Sequence, residues 1–441
     1  MNEKPIPHPV ELLQTLVRFD TTNPPGNEAA CINYLDGVFK QAGFTTTILG
    51  KTAERTNLIT RLPGRGEAPP VVWQAHVDVV TTAEQTWQHP PFAADIVDGF
   101  LWGRGTLDDK GAAAMMTVAL LRAKAQGITP PGDIIFTALA DEEAGADYGA
   151  KFLVEEHPEQ FAGARFAIGE GGGVSVMMGG KKFYVIMLAE KQLCAVRLTL
   201  RGRAGHGSVP LRGQAMAKLA RVLRILDRKQ LPVHITPIAR QMITGISDAL
   251  PFPQNLVLRQ LLNPALTDRV LNLLGDKGAQ LGASLHNTAS PTIVRGGEKI
   301  NVIPGEITLG LDGRLLPGFT PDAMVRELRA LLGDNDDGDI VDIAVAHYEP
   351  GPEPADMERY AVLADIIRKA DPEGIPVPYL VSGVTDARHF AKLGIQSYGF
   401  IPMQIPDELI KTIHAADERI PVATLEWGTQ VLLETLKRFK G

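Results

Sequence analysis

Residues 71–80 read VVWQAHVDVV, and this run decides the fold. It is apolar at all but three positions, as a strand covered on both faces would be. Residues 111–127, GAAAMMTVALLRAKAQG, then read as a helix, and residues 132–145, GDIIFTALADEEAG, as a second buried strand that ends in acids. Strand, helix and strand with polar groups at the strand ends is the grammar of an α/β sheet.

Outward from this core, residues 9–42 show helical periodicity, a Pro-Pro-Gly break and helical periodicity again, so two helices joined by a polar loop are expected. TNLITRL (56–62) reads as a strand, followed by the turn segment PGRGEAPP. AIGEGGG (167–173) is strand-like and ends in one acid and glycines that let the backbone turn sharply.

Past residue 190 the pattern changes. AVRLTLRGR, GQAMAKLARVLRILDRK, TIVRGGEKINV, EITLGLDGRLL, TPDAMVRELRALLG and IVDIAVAHYE run β-α-β-β-α-β, a split-βαβ, ferredoxin-like layout. Leucine-rich pieces at about 231–286 form a helical insertion within it. EPADMERYAVLADIIRKA is helical again, and SYGFIPM is a short strand. The expected fold class is α/β: a domain of residues 1–190 and 351–441 with a mixed sheet flanked by helices, interrupted by a smaller α+β ferredoxin-like domain at 191–350.

Composition narrows the function. The 441 residues suggest two to three domains, and 44% hydrophobic with 22% charged residues match an ordinary globular protein. A net charge of −7 and 6% aromatic content leave no basic footprint or stacking platform for nucleic acid. Cys31 and Cys194 are too few for a disulfide framework or a thiolate-rich zinc site, so a metal here would use oxygen and imidazole. MNEKPIPHPV has no apolar signal-peptide core, and the longest apolar runs fall short of the ~20 residues that span a bilayer. A cytoplasmic location without membrane contact is expected.

LWGRGTLDDKG (101–111) sets Asp108 and Asp109 side by side. Adjacent carboxylates repel, so Lys110 or a metal ion should sit nearby; a helix cap is the simpler role for Asp108. On an extended chain His76 and Asp78 point to one side, as a metal ligand with its support or as a satisfied buried pair. Asp141, Glu142 and Glu143 end a buried strand and call for a counter-ion, unless they open a solvated helix. In an α/β sheet such strand ends converge on one crevice. Their oxygens and imidazoles suit zinc, manganese or cobalt.

The motifs HVD (76–78), GRGTLDDKG (103–111), DEEAG (141–145), GEGG (169–172), GHGSVP (205–210), NVIPG (301–305), DGRLLPG (312–318) and HAADERI (414–420) together resemble the co-catalytic metallopeptidase family of glutamate carboxypeptidase, aminoacylase, acetylornithine deacetylase and succinyl-diaminopimelate desuccinylase. The resemblance runs from about residue 20 to 420. It implies two divalent ions, zinc first with cobalt or manganese as alternatives. His76 and Glu170 would hold one, Glu143 and His414 the other, and Asp108 would bridge them. It also implies a cis peptide after Asp108, Asp78 as the buttress of His76, and Glu142 as general base. His206 would reach the partner subunit's site as an oxyanion donor, and Arg314 would hold a substrate carboxylate. Asn301 would add an amide donor, and Ser382, Gly383 and Thr385 would line the pocket. The inserted domain would be the lid and dimerisation domain of a homodimer.

The activity implied is hydrolysis of an amide beside an amino acid with a free carboxylate, as a dipeptidase or carboxypeptidase. N-acyl-amino-acid deacylation is the alternative within the family. A non-catalytic binding protein that keeps the fold, or a two-metal phosphoesterase, are the readings from other classes.

Overall fold

The computed structural model describes residues 6–333, 340–354 and 356–440. Val71–His76 is indeed a central strand, flanked by Ile134–Leu139 and Phe166–Gly169, both parallel to it. From one edge the large sheet runs Thr46–Gly50, Thr56–Leu62, Ile134–Leu139, Val71–His76, Phe166–Gly169, Gln396–Gly399, Lys181–Glu190 and Gly374–Val381, with Ser175–Met178 paired to Lys181–Glu190. Parallel and antiparallel pairs coexist, so the sheet is mixed.

Both faces are covered. Val71, Trp73 and Ala75 enter one core with the helices Pro9–Val17, Ala29–Gln41, Lys110–Ala125, Met357–Ala370 and Val422–Arg438. Val72, Ile135 and Leu139 enter a second core with Phe152, Leu153 and Phe390 on the opposite side. Alternate side chains of one strand thus serve two apolar layers, which is why the run carries so little polarity. The helix Lys110–Ala125 is buried almost all round and can pack closely because alanines fill much of its surface. Gly111 is required there, since a Cβ would lie 2.3 Å from the Thr106 carbonyl oxygen.

The second unit has a four-stranded antiparallel sheet in the order Thr288–Arg295, Glu306–Leu315, Gln192–Arg201, Ile340–Glu349. Helices Ala215–Arg228 and Pro321–Leu332 cover one face through Leu219, Val222, Met324 and Leu328. This is the ferredoxin-like order.

One local expectation changes. TIVRGGEKINV is not one strand: pairing begins at Thr288, stops at Arg295, and resumes only as Val302–Ile303 against Gly205–His206. Gly296 and Gly297 have positive φ, which breaks the strand. The helices of the 231–286 insertion do not build the core of the small sheet. Ala239, Met242, Ile243 and Ile246 pack instead on Phe183 and Val377, the outer strands of the large sheet.

Candidate metal centre

Three neighbouring parallel strands end at one edge of the large sheet: Val71–His76, Ile134–Leu139 and Phe166–Gly169. His76 closes the first, Glu142 and Glu143 follow the second on a short 3-10 turn, and Glu170 follows the third. Asp108 arrives from the start of the buried helix and His414 from the turn after Asp407–Ile410. His76, Asp108 and Glu170 bring donor atoms within 4.8 Å of one another, and so do Asp108, Glu143 and His414.

Asp108 belongs to both groups. One of its oxygens, Oδ1, lies 2.9 Å from His76 Nε2, and Oδ2 lies 3.1 Å from His414 Nε2. Glu143 Oε1 is 3.1 Å from the same His414 nitrogen, and Glu170 Oε2 is 3.9 Å from His76 Nε2. The peptide Asp108–Asp109 is cis, as the resemblance implied.

His76 Nδ1 lies 3.0 Å from the backbone carbonyl of Asp78, which can only accept, so Nδ1 carries the hydrogen. The lone pair of a neutral ring then sits on Nε2, facing Asp108 and Glu170. The expected support from Asp78 therefore comes chiefly through its backbone; its carboxylate oxygen is farther away, at 3.4 Å. That carboxylate instead accepts the N–H groups of Glu142 and Glu143 at 3.1 and 3.2 Å, and Asn23 Nδ2 at 2.8 Å. Asp78 thereby holds both the histidine and the acid turn.

The electrostatics ask for positive charge. Burial opposes a proton on His76, yet hydrogen bonds to Asp108 and Asp78 outweigh it and lift its pKa well above the usual histidine value. Hydrogen bonds to Asp108 and Glu143 push His414 up to about 10. Burial raises Glu170 well above the carboxylate range, and the Glu142 charge adds to the rise. The protein alone meets this demand with protons. Divalent cations suit the same donors, which combine hard carboxylate oxygens with imidazole nitrogens.

Glu142 stands apart from the donor groups. Its carboxylate makes no hydrogen bond or ion pair among the described residues, and burial, then the neighbouring acids Asp386, Glu143 and Asp108, raise its pKa well above the ordinary value against the pull of His76. Lys110 is not the counter-ion of the Asp pair: it is buried and donates to the Phe19 carbonyl at 2.7 Å.

The remaining expected residues lie on other elements. His206 is exposed on the Gly205–His206 ribbon, with Nδ1 2.7 Å from Ser208 Oγ, and joins neither donor group. Arg314 holds Asp312 in a two-point contact at 2.7 and 3.3 Å, so an internal carboxylate occupies its fork. Asn301 lies exposed in a turn, its carbonyl accepting from Gly207 at 2.8 Å. Ser382 and Gly383 are exposed, whereas Thr385 donates through N–H and Oγ to Glu190 Oε2 at 3.0 and 2.8 Å.

Several supporting residues escaped sequence reasoning. Asp141, grouped above with the acids needing a counter-ion, finds it in Arg55 at 2.8 Å, while Arg55 also binds Glu28. Asn23, in what reads as a plain polar loop, bridges Asp78 and Asp141. Glu418 lies within the HAADERI motif and is fully buried. The surplus of polar residues in TTNPPGN and the adjacent acids Asp417 and Glu418 inside HAADERI were the available signals.

The model of peptidase family M20/M25/M40 matches residues 72–438. Human N-fatty-acyl-amino acid synthase/hydrolase PM20D1 is 26% identical over 416 residues, covering 92% of this chain and 81% of its own. An M20 family metallo-carboxypeptidase from Sulfolobus solfataricus shares the fold with a TM-score of 0.71 at 17% identity, over 98% of this chain and 99% of that one. YXEP of Bacillus subtilis, described as a dinuclear metal binding peptidase of the M20 family, gives a TM-score of 0.61 at 12% identity, covering 97% and 96%.

Proposed function

The chain belongs to peptidase family M20/M25/M40 and is a metallopeptidase or amidohydrolase, and on that premise we propose that it hydrolyses the amide bond on the amino side of a residue with a free α-carboxylate. Dipeptides and short peptides are the leading substrates. His76, Asp108 and Glu170 would hold one divalent ion and Asp108, Glu143 and His414 the other, with zinc favoured over cobalt and manganese. When bound, the pair supplies a water acidic enough to attack near neutral pH and polarises the scissile carbonyl.

The residues of the chain do the rest. Glu142 takes a proton from the attacking water and passes it to the amine as the C–N bond breaks. The one proton it carries gives a carboxylic acid and a free amine, and the acid's own proton then passes to the amine, leaving a carboxylate and an ammonium group. Arg314 would exchange Asp312 for the substrate carboxylate, since a guanidinium fork matches that group in two points. His206, with Asn301 brought beside it by the hydrogen bond from the Gly207 N–H to the Asn301 backbone carbonyl, would complete a neighbouring subunit's site as a donor to the developing oxyanion. Gly383, where a Cβ would meet nothing within 4 Å, would line the substrate pocket.

The observation that carries this reading is the division of one carboxylate, Asp108, between two histidines, with a free Glu142 alongside. Its test is Glu142→Gln. Metal content should stay at the wild-type level while kcat falls roughly 10²–10⁴-fold; unchanged turnover would remove the base assignment.

A second reading, N-acyl-amino-acid deacylase, is favoured by the similarity to the human fatty-acyl-amino acid hydrolase across most of both chains. Parallel panels of dipeptides and N-acyl amino acids decide between the two by which releases free amino acid faster.

Homodimerisation through the inserted unit is part of the proposal. The edge strand Thr288–Arg295 leaves Ile293 and Val294 about half exposed, at 52% and 51%. An open apolar edge is a ready template for pairing with a second copy. Cytoplasmic location is proposed on composition; among the described residues no helix is long and apolar enough to cross a membrane.

A further inference from the structure

Glu418 is fully buried, 310 residues away in sequence from Asp108, yet the two meet. The pairing of Arg419–Pro421 with Phe100–Trp102 brings them together, and the Gly103 N–H donates to the Glu418 carbonyl at 2.9 Å. The Glu418 carboxylate then accepts from Leu107 N–H at 2.8 Å and Asp108 N–H at 3.3 Å through Oε1, and from Gly105 N–H at 3.1 Å through Oε2. One side chain thus gathers three amides of the turn that presents Asp108.

Its charge is met by Arg104, 1% exposed, whose Nη1 lies 2.6 Å from Oε2. The other arm of Arg104, Nη2, donates to Gln85 Oε1 at 3.0 Å, and Trp87 Nε1 donates to that same oxygen at 3.2 Å. Gln85 is pinned from two sides, and its Nε2 donates to the backbone carbonyl of His414 at 3.1 Å. His414 needs such a hold: its φ is +62°, a region that residues other than glycine seldom adopt.

We propose that Glu418, Arg104 and Gln85 form a clamp of positioning residues that sets the separation of Asp108 and His414, and hence the affinity of the ion these two share with Glu143. The chain closes on itself: Asp108 amide, Glu418, Arg104, Gln85, His414 carbonyl, and back along the backbone from His414 to Glu418. Loss of a link frees one ligand without touching a donor atom. The inference rests on the dinuclear reading above.

The test titrates metal-free wild type, Glu418→Gln and Gln85→Ala with zinc alone against a competing chelator, with the melting temperature of each metal-free protein measured beside it. Wild type should take up two ions. Gln85→Ala should bind the ion held by His414 about 10–100-fold more weakly, the usual cost of removing a group that orients a ligand, and Glu418→Gln, which loosens the shared Asp108, should weaken both. Gln85 is only half-buried, so Gln85→Ala should melt with wild type when metal-free, separating positioning from a general loss of structure. On reconstitution with excess zinc its kcat should recover, with KM unchanged throughout. Wild-type affinity for both ions in Gln85→Ala would overturn the clamp and leave the dinuclear site standing. A wild type that takes up no zinc would overturn both.

Discussion

Asp108 offers one oxygen to each histidine, at 2.9 and 3.1 Å, and this asymmetry among the five donors has a measurable consequence. Asp108→Asn should lower the occupancy of both ions, whereas Glu170→Ala should lower only the one shared with His76. Elemental analysis after dialysis against a weak chelator reads the difference, and equal losses in the two variants would deny Asp108 its double role. At this scale most of the centre was legible. A histidine or acid that ends an apolar run has few uses in a core, and the strand ends of an α/β sheet converge. The supporting residues were less legible. Nothing in the local spacing ties Arg55 to Asp141 or Glu418 to Asp108, because each pair is joined by packing of elements distant in the chain.

Among the elements, the strand Lys181–Glu190 ends at a junction where the chain leaves the large sheet for the small one. Burial lifts Glu190 to about 8, against the hydrogen bonds from Thr385 and the charge of Arg388. Its pKa in the folded chain lies above its ordinary value of 4.5. The folded state therefore keeps a proton that the unfolded chain releases, and the stability it contributes is full below about pH 4.5 and lost as pH rises through about 8. Glu190→Gln should flatten that stretch of the stability curve and be more stable than wild type at pH 8, by roughly 1–2 kcal/mol. Melting temperatures at pH 5 and pH 8 check it; parallel curves for the two proteins would contradict it. The element order of the small unit was readable because its strands and helices follow one another with clear periodicity. The fate of the 231–286 helices was not. An amphipathic stripe declares that a face must be buried, and Met242, Ile243 and Ile246 declare nothing about whether Phe183 or a strand of the small sheet will bury them.

For the whole molecule, the proposed homodimer would bring His206 of one copy to the donor groups of another. His206 lies outside both donor groups, and the small sheet exposes an apolar edge. Ile293→Asp combined with Val294→Asp should give a monomer by light scattering. If His206 serves a neighbour, that monomer should retain its metal and lose at least about 10²-fold in kcat, the scale of one lost oxyanion donor. A monomer as active as wild type would confine the site to one chain. The two-unit architecture was visible from the switch in pattern near residue 190, whereas how copies meet depends on a surface that binary patterning does not describe.

The most direct test of the central claim is the metal content of the purified protein, measured together with its rate on a dipeptide and an N-acyl amino acid before and after chelation. Close to two divalent ions per chain are expected, with turnover that falls away as they are stripped and recovers when zinc, cobalt or manganese is returned. Full hydrolysis by protein stripped of both ions would contradict that claim.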